Sequence, residues 1–204
     1  MSGLALRFGL LRVSPWLVLL IALFFTLDRS IYAPLLLLSA MLHEMGHLRA
    51  LWHCGVPVTG VTLHPFGIEI EAPGLALLPY RDELCVAAAG PLCNLLTALC
   101  TLLTAALFGS FPGALFFTVC NLTLCLLNLM PVTGLDGGRM LAALVLPVLG
   151  LEQGEAVLQT VSGAASALIL TAGLVLLWVT RCNFSLAMVG AYLLARQALK
   201  GDAP

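Results

Sequence analysis

Charge is what this sequence has least of. Only 9% of its 204 residues are Asp, Glu, Lys or Arg, against about 25% in an average soluble domain. That deficit excludes an ordinary water-soluble globule. Together with 61% hydrophobic residues and a mean hydropathy of +1.07 it indicates an integral membrane protein. A basic excess is missing as well: the net charge is -1, so no cationic face exists to neutralise phosphates and a nucleic-acid partner is excluded. The seven cysteines show no CxxC or other zinc-type spacing, and their odd count suits a disulfide framework poorly. Most lie in apolar runs, where a thiol behaves as a small hydrophobe. Internal repeats, low-complexity tracts and long linkers are absent too, so one domain over residues 1–204 is expected.

What is present is a series of apolar runs. A bilayer-spanning helix needs about 20 mostly apolar residues, and six candidates qualify: roughly 10–27, 31–52, 83–109, 112–149, 155–179 and 183–199. The first follows Arg7 and Arg12 as a signal peptide would. FFTLDRSIY offers no small-x-small cleavage site, however, so a retained first span is expected. The fourth is too long for one span and is interrupted by NLMPVTGLDGG, where Pro131 and three glycines oppose continuous helix. With a cytoplasmic N-terminus, Arg7, Arg12, Arg49, Arg81, Arg139, Arg196 and Lys200 fall inside, and Arg29 and Arg181 outside. That asymmetry satisfies the positive-inside rule and places both termini in the cytoplasm. Between the second and third spans, Val58 to Glu71 has β-type composition, with Pro65 and Gly67 as the turn, and reads as a hairpin at the inner interface. The expected fold class is therefore an all-α membrane protein with about six transmembrane helices and a small interfacial β-hairpin.

One stretch does not belong in lipid. HEMGH places His43 and His47 four residues apart, on one face of a helix, with Glu44 beside the first. HExxH is a zinc-binding pattern: two imidazole ligands and a carboxylate that accepts a proton from the attacking water. Ionisable groups within a span cost a few kcal/mol and mark function. A catalytic zinc wants a third protein ligand, and two candidates compete. His53 completes HEMGHLRALWH, a near match to HExxHxxGxxH, but Ala50 replaces the glycine that turns the chain. On a continuous helix His53 lies ~9 Å beyond His47. Asp136 is the acidic residue at the break in the fourth apolar run, and irregular backbone at membrane depth is tolerated where it lines a cavity. Its competing role is to cap the helix that starts near Gly138.

HEMGH, the stretch Asn128–x–x–Pro131–(x)4–Asp136–Gly137–Gly138, and Gly90–Pro91–x–x–Asn94 together resemble the site-2 protease family of intramembrane zinc metalloproteases. RVSPWLVLLIA looks like that family's first span. The layout, with no PDZ-sized insertion and no CBS domain, is most similar to the stage IV sporulation protease group. Where many relatives carry a second proline, this sequence has Gly134. The resemblance implies zinc held by His43, His47 and Asp136, with Glu44 as general base and proton donor. It implies Asn94 and Asn128 as site-lining, substrate-binding residues; a buried amide joining helices is the alternative for each. It further implies a membrane-tethered protein substrate in the lipid bilayer, an inhibitory membrane partner, and release of a transcription factor or similar regulator, as in sporulation. The hairpin would bind substrate by strand addition or be a plain interfacial loop. The expected location is a bacterial cell membrane, as a multi-pass protein. Two rivals are a metal transporter, which should carry polar residues along several spans, and a catalytically silent scaffold that binds membrane helices.

Overall fold

The computed structural model describes residues 6–8, 11–27, 30–64 and 67–201. The chain divides into two compact units, Met1–Leu126 and Leu127–Pro204.

The first unit opens with two short strands, β1 (Leu6–Phe8) and β2 (Leu11–Val13). The first helix, α1 (Pro15–Leu27), therefore begins later than the span expected at 10–27, and its 13 residues make it shorter. Pro15 sets this boundary: proline disfavours helix in the residue before it and is pre-organised for a first helical position. Helix α2 (Tyr32–His53) carries HEMGH in its second half and closes through the Cys54 and Gly55 amides, which reach back to Ala50 and Trp52. Then come β3 (Gly60–His64) and β4 (Gly67–Glu71), paired antiparallel from Gly60 with Glu71 to His64 with Gly67. The expected hairpin is there, although Pro65 of its turn lies outside the described residues. It is not isolated. β2 adds to β3 in parallel, giving the sheet order β1-β2-β3-β4, and Arg12 reaches across to Glu71 at 2.6 Å. A lone two-stranded hairpin is marginal in water; the extra strands and a core of Leu51, Val56 and Val86 hold this one to the ends of α2 and α3. After a 3-10 turn, α3 (Tyr80–Phe108) and α4 (Ala114–Asn128) follow, the last two residues of α4 opening the second unit.

In the second unit, α5 (Asp136–Thr180) packs against α6 (Ser185–Gly201). Small residues allow the close approach: a Cβ on Gly173 would strike the backbone of Ala187, and one on Gly190 the backbone of Leu170. Val132, Ile169 and Leu193 form the core. The apolar runs predict a gap between spans at 149–155. The chain instead stays helical on both sides of one residue, Gly150, whose φ of 76° breaks the 45-residue rod.

By length and composition, two described helices, α3 and α5, are long and apolar enough to cross a membrane, and α4 is a shorter apolar helix. Two such helices thus stand where about six were expected. Polar residues dilute α2 where it carries the histidines, and α1, α4 and α6 have only 13, 15 and 17 residues.

Candidate metal centre

His43 and His47 lie one turn apart on the buried face of α2, each 6% exposed. Their Nε2 atoms are 3.2 Å apart. What each imidazole does with its other nitrogen fixes its protonation. His43 Nδ1 lies 2.5 Å from Asn94 Oδ1, and His47 Nδ1 lies 2.8 Å from the Val86 carbonyl. A carbonyl oxygen can only accept, so each Nδ1 donates its proton and the two Nε2 atoms are turned toward each other. The Asn94 amide cannot turn to relieve this, because its NH2 donates to the Ser39 carbonyl at 3.1 Å and to Asn121 Oδ1 at 2.8 Å.

With both rings neutral, the two Nε2 atoms offer their lone pairs to one cation between them. Tetrahedral zinc with bonds of about 2.0–2.1 Å would hold two nitrogens roughly 3.3 Å apart. The tautomers and the spacing therefore fit zinc. An Nδ1–H tied to a carbonyl is also the usual outer support of a metal-bound histidine.

Helix α3 supplies the complement. Gly90 faces both rings: a Cβ there would overlap His47 Nε2 and His43 Cε1. Pro91 is among the fully buried side chains, and Asn94, one turn further, reaches His43. The Gly-Pro-x-x-Asn spacing thus has a physical meaning: a gap for the rings, then a prop for one of them. Asn94 is a buried amide joining helices, and it joins them at a prospective ligand. Sequence reasoning missed its two partners. Asn121 on α4 donates to Ser39 Oγ at 2.9 Å and to the Phe117 carbonyl at 2.8 Å, completing a polar chain through α2, α3 and α4. The available signal was an amide inside an apolar run, which is costly unless satisfied.

Replacing Asn94 with leucine keeps the volume and removes the acceptor. Zinc affinity should fall 10–100-fold, the usual cost of losing such an outer partner, as read by competition with a chelator. Unchanged affinity would show that Asn94 does not orient His43.

Glu44 is half-buried on α2. His53, the last residue of the unbroken helix, is exposed, at the distance along the axis that the sequence implied. In the second unit, Asp136 is buried in the first turn of α5, where a carboxylate suits the helix dipole. Asn128 ends α4 and is half-buried. The two glycines after Asp136 let the preceding loop fold back onto the helix start: a Cβ on Gly137 would strike the Leu129 carbonyl, and one on Gly138 the Val132 carbonyl. Gly134 takes a φ of 103°, which a proline ring forbids. All seven cysteines are free. Just beyond α2, burial and then the nearby Asp82 and Cys85 push the Cys54 thiol above its ordinary value, disfavouring a nucleophilic thiolate.

No family model matches the chain. Among curated proteins it is 31% identical to a zinc metalloprotease of Methanocaldococcus jannaschii over 118 residues, covering 54% of this chain and 33% of that one. It is 29% identical to stage IV sporulation protein FB of Bacillus subtilis over 132 residues, covering 64% of this chain and 46% of the relative. The chain thus spans between a third and a half of the curated relatives it matches. Among solved structures, the site-2 protease of M. jannaschii superposes with a TM-score of 0.67 at 21% identity, over 98% of this chain and 96% of that one. The fold is that of a site-2 protease, and the relatives include proteins named as zinc metalloprotease and sporulation protein.

Proposed function

We propose that this chain is an intramembrane zinc metalloprotease, cleaving a peptide bond within or next to a transmembrane segment of a membrane-tethered protein. The observation that carries the reading is the histidine pair itself, two buried imidazoles whose Nε2 atoms face each other at 3.2 Å while each Nδ1 is held by an acceptor oxygen on α3. Helix α3 remains apolar beyond Asn94, apart from threonines that bond their own helix, which argues against a transport path lined with metal ligands.

Asp136 is the proposed third ligand. Its carboxylate lies in the first turn of α5, where the helix dipole favours a negative charge, and Gly137 and Gly138 hold its loop close to that helix end. Zinc, when bound, supplies Lewis acidity toward a carbonyl and lowers the pKa of water. The residues of the chain do the rest. His43 and His47 present lone pairs at fixed spacing, held by Asn94 and the Val86 carbonyl. Glu44, adjacent to the first ligand and half-buried, accepts the proton of the attacking water and returns it to the leaving amine. The substrate segment must unwind first, because a helical peptide bond is shielded by its own turn. The β4 edge could take the unwound strand through main-chain hydrogen bonds. A multi-pass arrangement in a bacterial cell membrane, with cytoplasmic termini, and release of a regulator belong to the same proposal.

The test compares new protein termini in membranes holding the wild-type chain or its His47→Ala variant. Cuts in or beside transmembrane segments, seen with wild type alone, are expected. The variant should also lose its zinc, measured by elemental analysis of the purified protein. Identical termini together with equal metal content would overturn the reading.

A further inference from the structure

Helix α6 reads in the sequence as no more than a last apolar helix. Its final turns, however, meet the loop that precedes Asp136. The Thr133 amide donates to Ser162 Oγ at 2.8 Å, and the Thr133 and Ser162 hydroxyls bond each other at 3.1 Å. Gln197 Nε2, from α6, donates to the same Ser162 Oγ and to Ser166 Oγ, the latter at 3.0 Å. Ser162 is 1% and Ser166 0% exposed. A serine hydroxyl has two lone pairs and one proton. Ser162 Oγ is thus held by the Thr133 amide, the Thr133 hydroxyl and the Gln197 amide together. One residue earlier on α6, the Arg196 guanidinium covers Gly134: a Cβ at that glycine would collide with it. Gly134, with φ 103°, has no Cβ. Loop residues 133 and 134 are thus each met by a side chain group from outside the loop, and Asp136 follows two residues later.

We propose that Gln197 and Arg196 are positioning residues for the Asp136 loop, so that the end of α6 sets how tightly the protein holds zinc. The inference rests on Asp136 being a ligand, as proposed above. The physical logic is preorganisation. The Leu135 amide bonds the Val132 carbonyl and the Gly138 amide the Leu135 carbonyl, so the loop is a string of tight turns. A ligand on a loop that must first be ordered binds its metal at a cost. Gln197, by completing the bonds of Ser162, orients the hydroxyl that receives the Thr133 amide; Arg196 closes the open side of Gly134.

The experiment uses the full-length chain in detergent, as wild type, Gln197→Met and Arg196→Met. Methionine keeps the length and packing of both side chains without their donors. Two quantities are measured: zinc affinity by chelator competition, and hydrogen exchange of the 132–135 amides in metal-free protein. In Gln197→Met, exchange at those amides should accelerate and zinc affinity fall about tenfold, with the melting temperature of the metal-free protein little changed; Arg196→Met should move in the same direction. A merely structural role would lower the melting temperature and leave affinity and loop exchange alone, which would overturn the inference. So would faster exchange with unchanged affinity. If wild type itself takes up no zinc, the protease reading falls and the inference with it; if wild type binds zinc and both variants bind it equally, only the inference falls.

Discussion

With Glu44 replaced by glutamine, the purified protein is expected to bind zinc within about twofold of wild type while peptide hydrolysis falls by about 10²–10⁴-fold, the range for loss of a general acid–base group. The asymmetry follows from position. Glu44 neighbours His43 in sequence, but both imidazoles are fixed by groups on α3, through Asn94 Oδ1 and the Val86 carbonyl. Glutamine preserves the volume and a hydrogen-bonding oxygen, so the helix and the histidine tautomers are unaffected; it removes the basic site that takes a proton from water. Paired zinc titration and turnover on a reconstituted substrate would check this. Cleavage at the wild-type rate would remove Glu44 from the mechanism, and loss of zinc would make it a ligand or a structural residue.

The second large effect comes from one methyl group. Gly90→Ala would place its Cβ within overlap distance of His47 Nε2 and His43 Cε1. Both rings are tethered through Nδ1, so neither can swing away without breaking its bond to a buried acceptor, at a cost of about 1–3 kcal/mol for each group left unsatisfied. Zinc affinity should fall at least 100-fold, and α2 should separate from α3 enough to lower the melting temperature of the metal-free protein. An alanine variant with wild-type zinc affinity would show that the rings lie elsewhere. Gly90→Ser should be no better, because the obstruction is the Cβ itself.

The parts of the site that sequence exposed were those written as spacing. His43 and His47 announce a shared helix face because four residues bring a helix round once, and an ionisable cluster in an apolar run is too costly to persist without a role. Gly90 was visible only as a motif letter; its reason is a ring edge arriving from α2, 43 positions earlier in the case of His47. Asn121 and Ser39 were passed over because each is a lone polar residue whose partners lie on other helices. The strands β1 and β2, three residues each, are too short to show alternation, and the partner of β2 is about fifty residues downstream. Strand pairing of that kind overrode the apolar periodicity that had extended the first helix back to residue 10. At Gly150, sequence offered a plausible gap and the backbone needed only one residue with positive φ.

The chain of polar bonds through Ser39, His43, Asn94 and Asn121 also bears on how the protein comes to be made. Sliding α2 by one turn against α3 and α4 would break the links of Asn94 to His43 and Ser39 together, and in a lipid environment no water would replace them. Register among these three helices is therefore held by hydrogen bonds that need no ion. On the proposed reading, zinc would meet a histidine pair already aimed, unlike a zinc finger, where the ion drives folding. Removing the metal should then leave the three helices in register and the histidine pair in place.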